Sequence, residues 1–257
     1  AARAQLREDI REDGLVLSSV TGYQLSDIAR YVDGLAESID CEPVNAALAY
    51  VDFSRRDFTF SDDIPGRTLD RTALTQTIAS LLSNGETEAE IDAPIRLTAA
   101  RISRLQLKNT FGCLEVRSFE TESPQGDAQV HALISSMNGA VIPSGETISL
   151  IAQLNGRVTN FEAANADGFA TALFDAGLCA GLTLVERTPQ TEVSAERRGL
   201  EAHLAADSDL RLRNPLDTPI CVLCYYPPLN GRGSGGSVTL EVYGILRSGG
   251  ETAEITA

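Results

Sequence analysis

Cys221 and Cys224 are spaced for chemistry, because a C-x-x-C pair can hold a metal or exchange disulfides. They lie in Pro219-Ile-Cys-Val-Leu-Cys-Tyr-Tyr226, a run that reads as a strand. Residues three apart on a strand face opposite sides and sit about 10 Å apart, beyond the reach of a disulfide. No second C-x-x-C or nearby histidine completes a zinc set. The pair is therefore expected to be structural, and no metal or cofactor is expected. Cys41, Cys113 and Cys179 bring the count to five, which leaves at least one thiol unpaired in a monomer.

General acid–base work needs titratable groups gathered in one pocket. Glu146, Asp167, Glu186, Gln190 and Glu201 are the candidates to line such a cleft, provided the helix ends and turns that carry them converge. Asp167 stands near the start of a helix, where a carboxylate also serves as a cap and favours the helix dipole. Asp62-Asp63 precede Pro65-Gly66 and fit a solvated turn with local backbone hydrogen bonds. His131 falls beside Val130 on a helix surface, and His203 in an edge segment. Gly231-Arg-Gly-Ser-Gly-Gly236 lacks the Lys-Ser/Thr and following helix of a phosphate cradle and reads as a linker.

The elements that must position these groups form two small α+β modules. Residues 1–23 are a charged lead-in, 24–105 the first module, 109–246 a second and β-rich one, and 247–257 a tail. In the first, Ile28, Tyr31, Val32, Leu35 and Ile39 recur at helical spacing behind Ser26 as cap. Two strands follow, Asn45–Phe53 and Asp57–Phe60. A second helix runs from a cap at Asp70 through Leu74, Ile78, Leu81 and Leu82 to a stop at Asn84-Gly85, and Glu90–Leu97 is extended. Thr98–Lys108 reads as a connector. The second module opens with a strand at Cys113–Phe119. Asp127 caps a helix with Val130, Leu133, Ile134 and Met137 inside, and Asn138-Gly139 stops it. Ile148–Leu154 reads as a strand. The second principal helix buries Phe169, Ala172, Leu173 and Ala176 and ends on Gly181. Strands at Leu182–Arg187, Leu210–Arg213, Ile220–Tyr226 and Ser237–Tyr243 complete it, the last two joined by a flexible tip at 227–236.

Composition narrows the partners. The 257 residues carry a net charge of −15, with a pI near 4.5. That disfavours nucleic acid, whose affinity comes largely from Lys and Arg neutralising phosphates, and it disfavours anionic membranes and anionic wall polymers on the same ground. No apolar run approaches the roughly 20 residues of a membrane span. Ala1-Ala-Arg-Ala-Gln-Leu6 has no apolar stretch after it and is not a signal peptide, so any anchor is expected upstream of Ala1. There is no Trp; the visible aromatic concentrations are Tyr225-Tyr226 and Phe58 with Phe60.

In order and spacing, the second module resembles the VanW family, bacterial envelope proteins named from a vancomycin-resistance cluster. The matching pieces are Met137-Asn-Gly139, Val141-Ile-Pro-Ser-Gly-Glu146 with Ile148-Ser-Leu150, Gly181-Leu-Thr-Leu-Val-Glu-Arg187, Leu212-Arg-Asn214 with Thr218-Pro-Ile220, and Val242-Tyr-Gly244. Residues 24–105 resemble the peptidoglycan-binding module often placed before VanW, through Ile39-Asp-Cys-Glu-Pro-Val-Asn-Ala46 and Gly66-Arg-Thr-Leu-Asp70. The likeness spans roughly residues 24–245.

The departures bear on function. Where family members carry a Gly-rich segment ending in Cys-Gln, spacing places Ala163-Ala-Asn-Ala-Asp167-Gly168, so Asp167 and Gly168 stand for the cysteine and glutamine. A family histidine falls on Gln190, and a Gly-x-Asp-Ala segment survives as Gly199-Leu-Glu201-Ala202. Nucleophilic catalysis needs a thiol or hydroxyl, an activating base and oxyanion donors, and the first two are missing at those places. The resemblance thus implies a non-enzymatic, extracytoplasmic envelope protein that associates with peptidoglycan or other wall components. Two alternatives stand beside it: a peptidoglycan-modifying enzyme using its acidic residues, and a scaffold that binds another envelope protein.

Overall fold

The computed structural model describes residues 22–86, 88–121, 128–156, 163–190, 199–226 and 236–246. In chain order the elements are α1 (Leu25–Ile39), β1 (Leu48–Asp52), β2 (Asp57–Phe60), β3 (Gly66–Leu69), α2 (Arg71–Ser83), β4 (Ile95–Thr98), α3 (Arg104–Thr110), β5 (Phe111–Thr121), α4 (Ala128–Met137), β6 (Ala140–Ile142), β7 (Thr147–Ser149), α5 (Leu150–Leu154), α6 (Ala163–Cys179), β8 (Thr183–Glu186), β9 (Arg211–Arg213), β10 (Ile220–Tyr225) and β11 (Gly236–Ile245). The fold is α+β, with all strand pairs antiparallel. The expected cap at Asp127, most of the tip at 227–236, most of the lead-in and the tail lie outside the described residues.

The chain divides into two compact units. The first comprises the described residues up to Glu42 together with Gly66–Thr98. Its core is Ile28, Val32 and Ala36 of α1 against Leu69 and Leu74, with Ile78 and Leu82 at the margin. Asp70 caps α2 by accepting from the Ala73 backbone N–H. The helix ends as Asn84-Gly85 predicts: Gly85 takes a φ of +79°, its N–H reaches the Leu82 carbonyl, and that of Glu86 reaches Leu81. This is the Schellman arrangement, which uses up otherwise orphaned carbonyls. Two details of α1 differ from expectation. Gln24, in extended conformation, holds the cap position in place of Ser26, and Tyr31 is exposed.

The second unit comprises Pro43–Pro65 and the described residues from Ala99 onward. The boundary therefore differs from the expected one: the β1–β2 hairpin packs with the later residues. A four-stranded sheet, ordered β5-β11-β10-β6, forms its middle. Strand alternation sends Ile220, Val222 and Cys224 of β10, and Val238, Leu240 and Val242 of β11, to one face, where α4 and α6 cover them. Cys221, Leu223 and Tyr243 point to the other face and meet Leu48, Val51 and Phe58 of the hairpin. Burial on both faces explains why Ile220–Cys224 is an unbroken apolar run. It also puts the C-x-x-C cysteines on opposite faces, as expected, and burial pushes the Cys221 thiol up to about 12 and raises Cys224 as well. Thiols held protonated in this way are poor nucleophiles and ligands.

A smaller sheet, β7-β9-β8, lies alongside in this unit. The expected strand Ile148–Leu154 is cut short here. Ser149 Oγ accepts from the Ala152 N–H and donates to Asp209, whose other oxygen accepts from the Ile151 N–H, so the chain turns into α5 after Ser149. The partner sixty residues away is what a local pattern cannot supply. The expected connector near Thr98–Lys108 holds α3, capped by Ser103. Asp63 accepts from the Arg104 N–H and Asp62 pairs with the Arg104 guanidinium, so these carboxylates bond to the start of α3, not within their own turn.

Two buried polar residues lock this unit. Asn214 is fully buried and its Nδ2 donates to the carbonyls of Ile142, Pro143 and Thr218, while its Oδ1 accepts from the Leu216 N–H. Glu241, also buried, accepts from Arg56 at the hairpin tip and from the hydroxyls of Tyr225 and Tyr243.

Candidate functional site

Helix α6 forms because its apolar residues recur at helical spacing; Phe169, Ala170, Leu173 and Ala176 are buried in the main core. Close packing extends to Gly168, where an added Cβ would lie 2.8 Å from the Phe119 ring. A longer residue at this place, such as the glutamine of the resembling family, would collide with that ring.

The same helix carries a polar stripe. Asp167, Thr171 and Phe174 follow one another at the i, i+4, i+7 spacing that lines up one face, and the segment Gly199–Leu204 runs along it. The Asp167 carboxylate accepts from the Leu204 N–H at 2.9 Å and lies 3.0 and 3.1 Å from His203 Nδ1. One turn on, Thr171 Oγ1 accepts from the Ala202 N–H at 3.0 Å, and Gln190 Nε2 donates both to that hydroxyl and to the Ala202 carbonyl. A further turn on, the Arg187 guanidinium lies over the Phe174 ring and donates to the carbonyls of Gly199 and Glu201. Glu201 Oε2 accepts from the Gly199 N–H at 2.8 Å, while its buried Oε1 has no hydrogen-bond partner among the described residues.

Three of the five candidate residues are thus brought together on one segment: Asp167, Gln190 and Glu201. Glu146 and Glu186 are not. Glu146 is exposed in the turn before β7, where its backbone carbonyl accepts from the Asn214 N–H. Glu186 is exposed on β8 and pairs with Arg211 at 3.4 Å. Asp167 does not cap its helix either. It is the fifth residue of α6, and its oxygens bond outward to the neighbouring segment. Thr171 and Arg187 complete the cluster without having been singled out as candidates; the four-residue step from Asp167 was the available signal for Thr171.

The arrangement does little chemistry. Asp167 orients the His203 ring through Nδ1, which is half of a general base. Among the described residues no hydroxyl or thiol is hydrogen-bonded to Nε2 to serve as nucleophile, and the Thr171 hydroxyl is buried and spent on Ala202 and Gln190. Among the described residues, no group of three or more His, Cys, Asp or Glu is placed to hold a metal. Of the remaining polar groups, Cys179 sits against Arg117 and Asp175 with burial raising its thiol, and His131 is exposed beside Ser135. What the cluster does is tie an irregular segment to α6 through its own backbone groups.

Compared with known proteins, the chain matches no family model, no curated protein and no solved structure.

Asp167 is therefore expected to act on stability. Asp167→Ala leaves the buried Leu204 N–H and the His203 ring without their acceptor, a loss of about 2 kcal/mol. Chemical denaturation of the variant checks this. An unchanged unfolding midpoint would overturn the tethering role.

Proposed function

We propose that this protein is a non-enzymatic component of a bacterial cell envelope, held outside the cytoplasm, that associates with peptidoglycan or other wall components through a VanW-like domain. The observation that carries the non-enzymatic part is the commitment of the polar cluster. Asp167 and Gln190 stand at positions of the resembling family's most distinctive polar residues, and Thr171 lies one turn along α6 from Asp167. All three are bonded to the backbone of Ala202 or Leu204 or to one another.

The resemblance draws support from how its pieces meet. The turn Val141–Glu146 is stitched to Asn214, which also holds the Thr218 carbonyl, and Arg187 is bonded to Gly199 and Glu201. Segments far apart in sequence, selected only by their order, hold one another in place. The competing enzyme reading requires at least two carboxylates converging in one pocket. Asp167 and Glu201 do meet the Gly199–Leu204 segment, but each accepts there from a backbone N–H, while Glu146 and Glu186 bond elsewhere. No helix among the described residues is long and apolar enough to cross a membrane.

Sedimentation of the full chain with purified sacculi tests the reading. Retention that saturates, with no release of glycan or peptide fragments on long incubation, is expected. Absence of retention sinks the wall association, and fragment release sinks the non-enzymatic part.

A further inference from the structure

We infer that the groove between β1 and the turn joining α4 to β6 is a binding site for one neutral sugar ring, the contact through which the proposed wall association is made. The inference rests on that reading for its biological setting, but its structural argument is independent. The groove has a volume of about 260 Å³, below the roughly 300–1,000 Å³ usual for drug-sized ligands and suited to a single ring-sized group. Tyr50 and Phe53 present their rings at its rim, 65% and 55% exposed. An aromatic ring left in water costs free energy unless something covers it, and both rings sit on the same short stretch of chain.

Charge selects the ligand class. Every residue lining the groove is uncharged, in a chain whose net charge is −15. Two of the neighbouring charges, Asp52 and Arg56, are committed elsewhere. The Asp52 carboxylate closes on the Ser54 hydroxyl and N–H and the Arg55 N–H, and Arg56 is paired with Glu241. Within the lining itself an anion finds no cation, and a cation no carboxylate. Two lining side chains carry polar groups: the Tyr50 hydroxyl, and Asn138, which spends its Oδ1 on the Cys224 N–H and leaves its Nδ2 to donate. Flat apolar surface beside a single amide donor matches a pyranose, whose C–H face stacks on an aromatic ring while a hydroxyl accepts a hydrogen bond.

The main competitor is an extended peptide adding to the free edge of β6. Only Ala140–Ile142 form that strand, and the Phe53 ring lies over Gly139 at its start; a Cβ there would be 3.7 Å from Phe53 Cδ1. Short length and a capped end favour the sugar.

The test titrates the full chain with the N-acetylglucosamine trimer, following the Asn138 side-chain amide and the Tyr50 ring by NMR. Saturable shifts at both, with a dissociation constant on the order of 1 mM or tighter, are expected. Tyr50→Ala and Phe53→Ala should each weaken binding about tenfold at unchanged melting temperature, and Tyr31→Ala, an exposed ring in the other unit, should have no effect. Shifts with a stem peptide and none with the trimer overturn the inference, as does trimer binding insensitive to Tyr50 and Phe53. Sacculi separate the two proposals. If wild type and the Tyr50→Ala/Phe53→Ala double variant sediment alike, the groove is wrong and the wall association stands. If the trimer binds but sacculi retain nothing, the groove stands and the wall association falls.

Discussion

Asn214→Ala is expected to cost about 3 kcal/mol of unfolding free energy, among the largest effects of any single substitution in the second unit. Its side chain is fully buried and every polar atom is used: three carbonyls, those of Ile142, Pro143 and Thr218, receive its amide protons, and the Leu216 N–H donates to its oxygen. Its backbone adds two further bonds across the same junction, with Gly145 and Glu146. Alanine keeps the backbone bonds and removes the side-chain ones. The orphaned carbonyls then pay desolvation without a partner, roughly 1 kcal/mol or more each, partly relieved where water can enter. Asn214→Asp decides whether donors or shape matter. It keeps the volume and the acceptor but sets a carboxylate against three carbonyl oxygens, so it should cost at least as much as alanine. Denaturant melts of the three proteins check the order. A loss below about 1 kcal/mol for alanine would show that water replaces the amide freely.

Asn214 also shows which parts of the fold were legible. It belongs to one of the short motifs on which the family resemblance rests, and its structural use accounts for its spacing from Thr218. Helices α1, α2 and α4 were visible because a local apolar period decides them, and the Asn84-Gly85 stop because a positive φ asks for glycine. Strand β10 was visible because two-sided burial leaves no polar residue between Ile220 and Cys224. What failed to show was decided at a distance. Ser149 ends β7 with the help of Asp209, and the β1–β2 hairpin joins the second unit through Cys221, Leu223 and Tyr243, more than 150 residues on.

The candidate site divides on the same line. Asp167 and Gln190 could be placed by spacing within the resemblance, and they do meet the same segment. Glu146 and Glu186 join them only on the condition that the helix ends and turns converge, and they do not: Glu146 stays in the turn before β7, and strand register sets Glu186 opposite Arg211 in the β8–β9 pair. A carboxylate's chemistry is readable in sequence, but the face on which it emerges is not. His203 and Arg187 had no local signal, because their partners are a helix carboxylate 36 residues away and the carbonyls of Gly199 and Glu201.

The second large effect belongs to Glu241, a buried charge and the one ionisable carboxylate on β11. Glu241→Ala should cost about 2–3 kcal/mol and Glu241→Gln about 1 kcal/mol. Arg56 is half exposed and can be rehydrated, so its loss of a partner weighs less than a fully buried break would. The larger share comes from the hydroxyls of Tyr225 and Tyr243, which bond at 2.6 and 2.8 Å and have no other acceptor in the network. Glutamine restores an acceptor for them but no charge for Arg56. Arg56 adopts a φ of +53°, a left-handed conformation that costs a non-glycine residue about 1 kcal/mol. Arg56→Gly should therefore destabilise less than Arg56→Ala, since glycine removes that strain along with the ion pair. The pH dependence has a definite sign. Burial pushes the Glu241 carboxyl up, but the hydrogen bonds from Arg56, Tyr225 and Tyr243 outweigh it and hold it below the ordinary 4.5. A depressed folded value means the contribution is present above about pH 4.5 and is lost as pH falls through the folded value. Burial and the adjoining carboxylate raise Tyr243 above its ordinary 10, so stability also falls as pH climbs beyond 10 and the unfolded tyrosine ionises first. Wild type minus Glu241→Gln, measured across pH, should show a plateau that declines at the acid end. A flat difference down to pH 3 would mean that the carboxylate is not the ionised centre of the network.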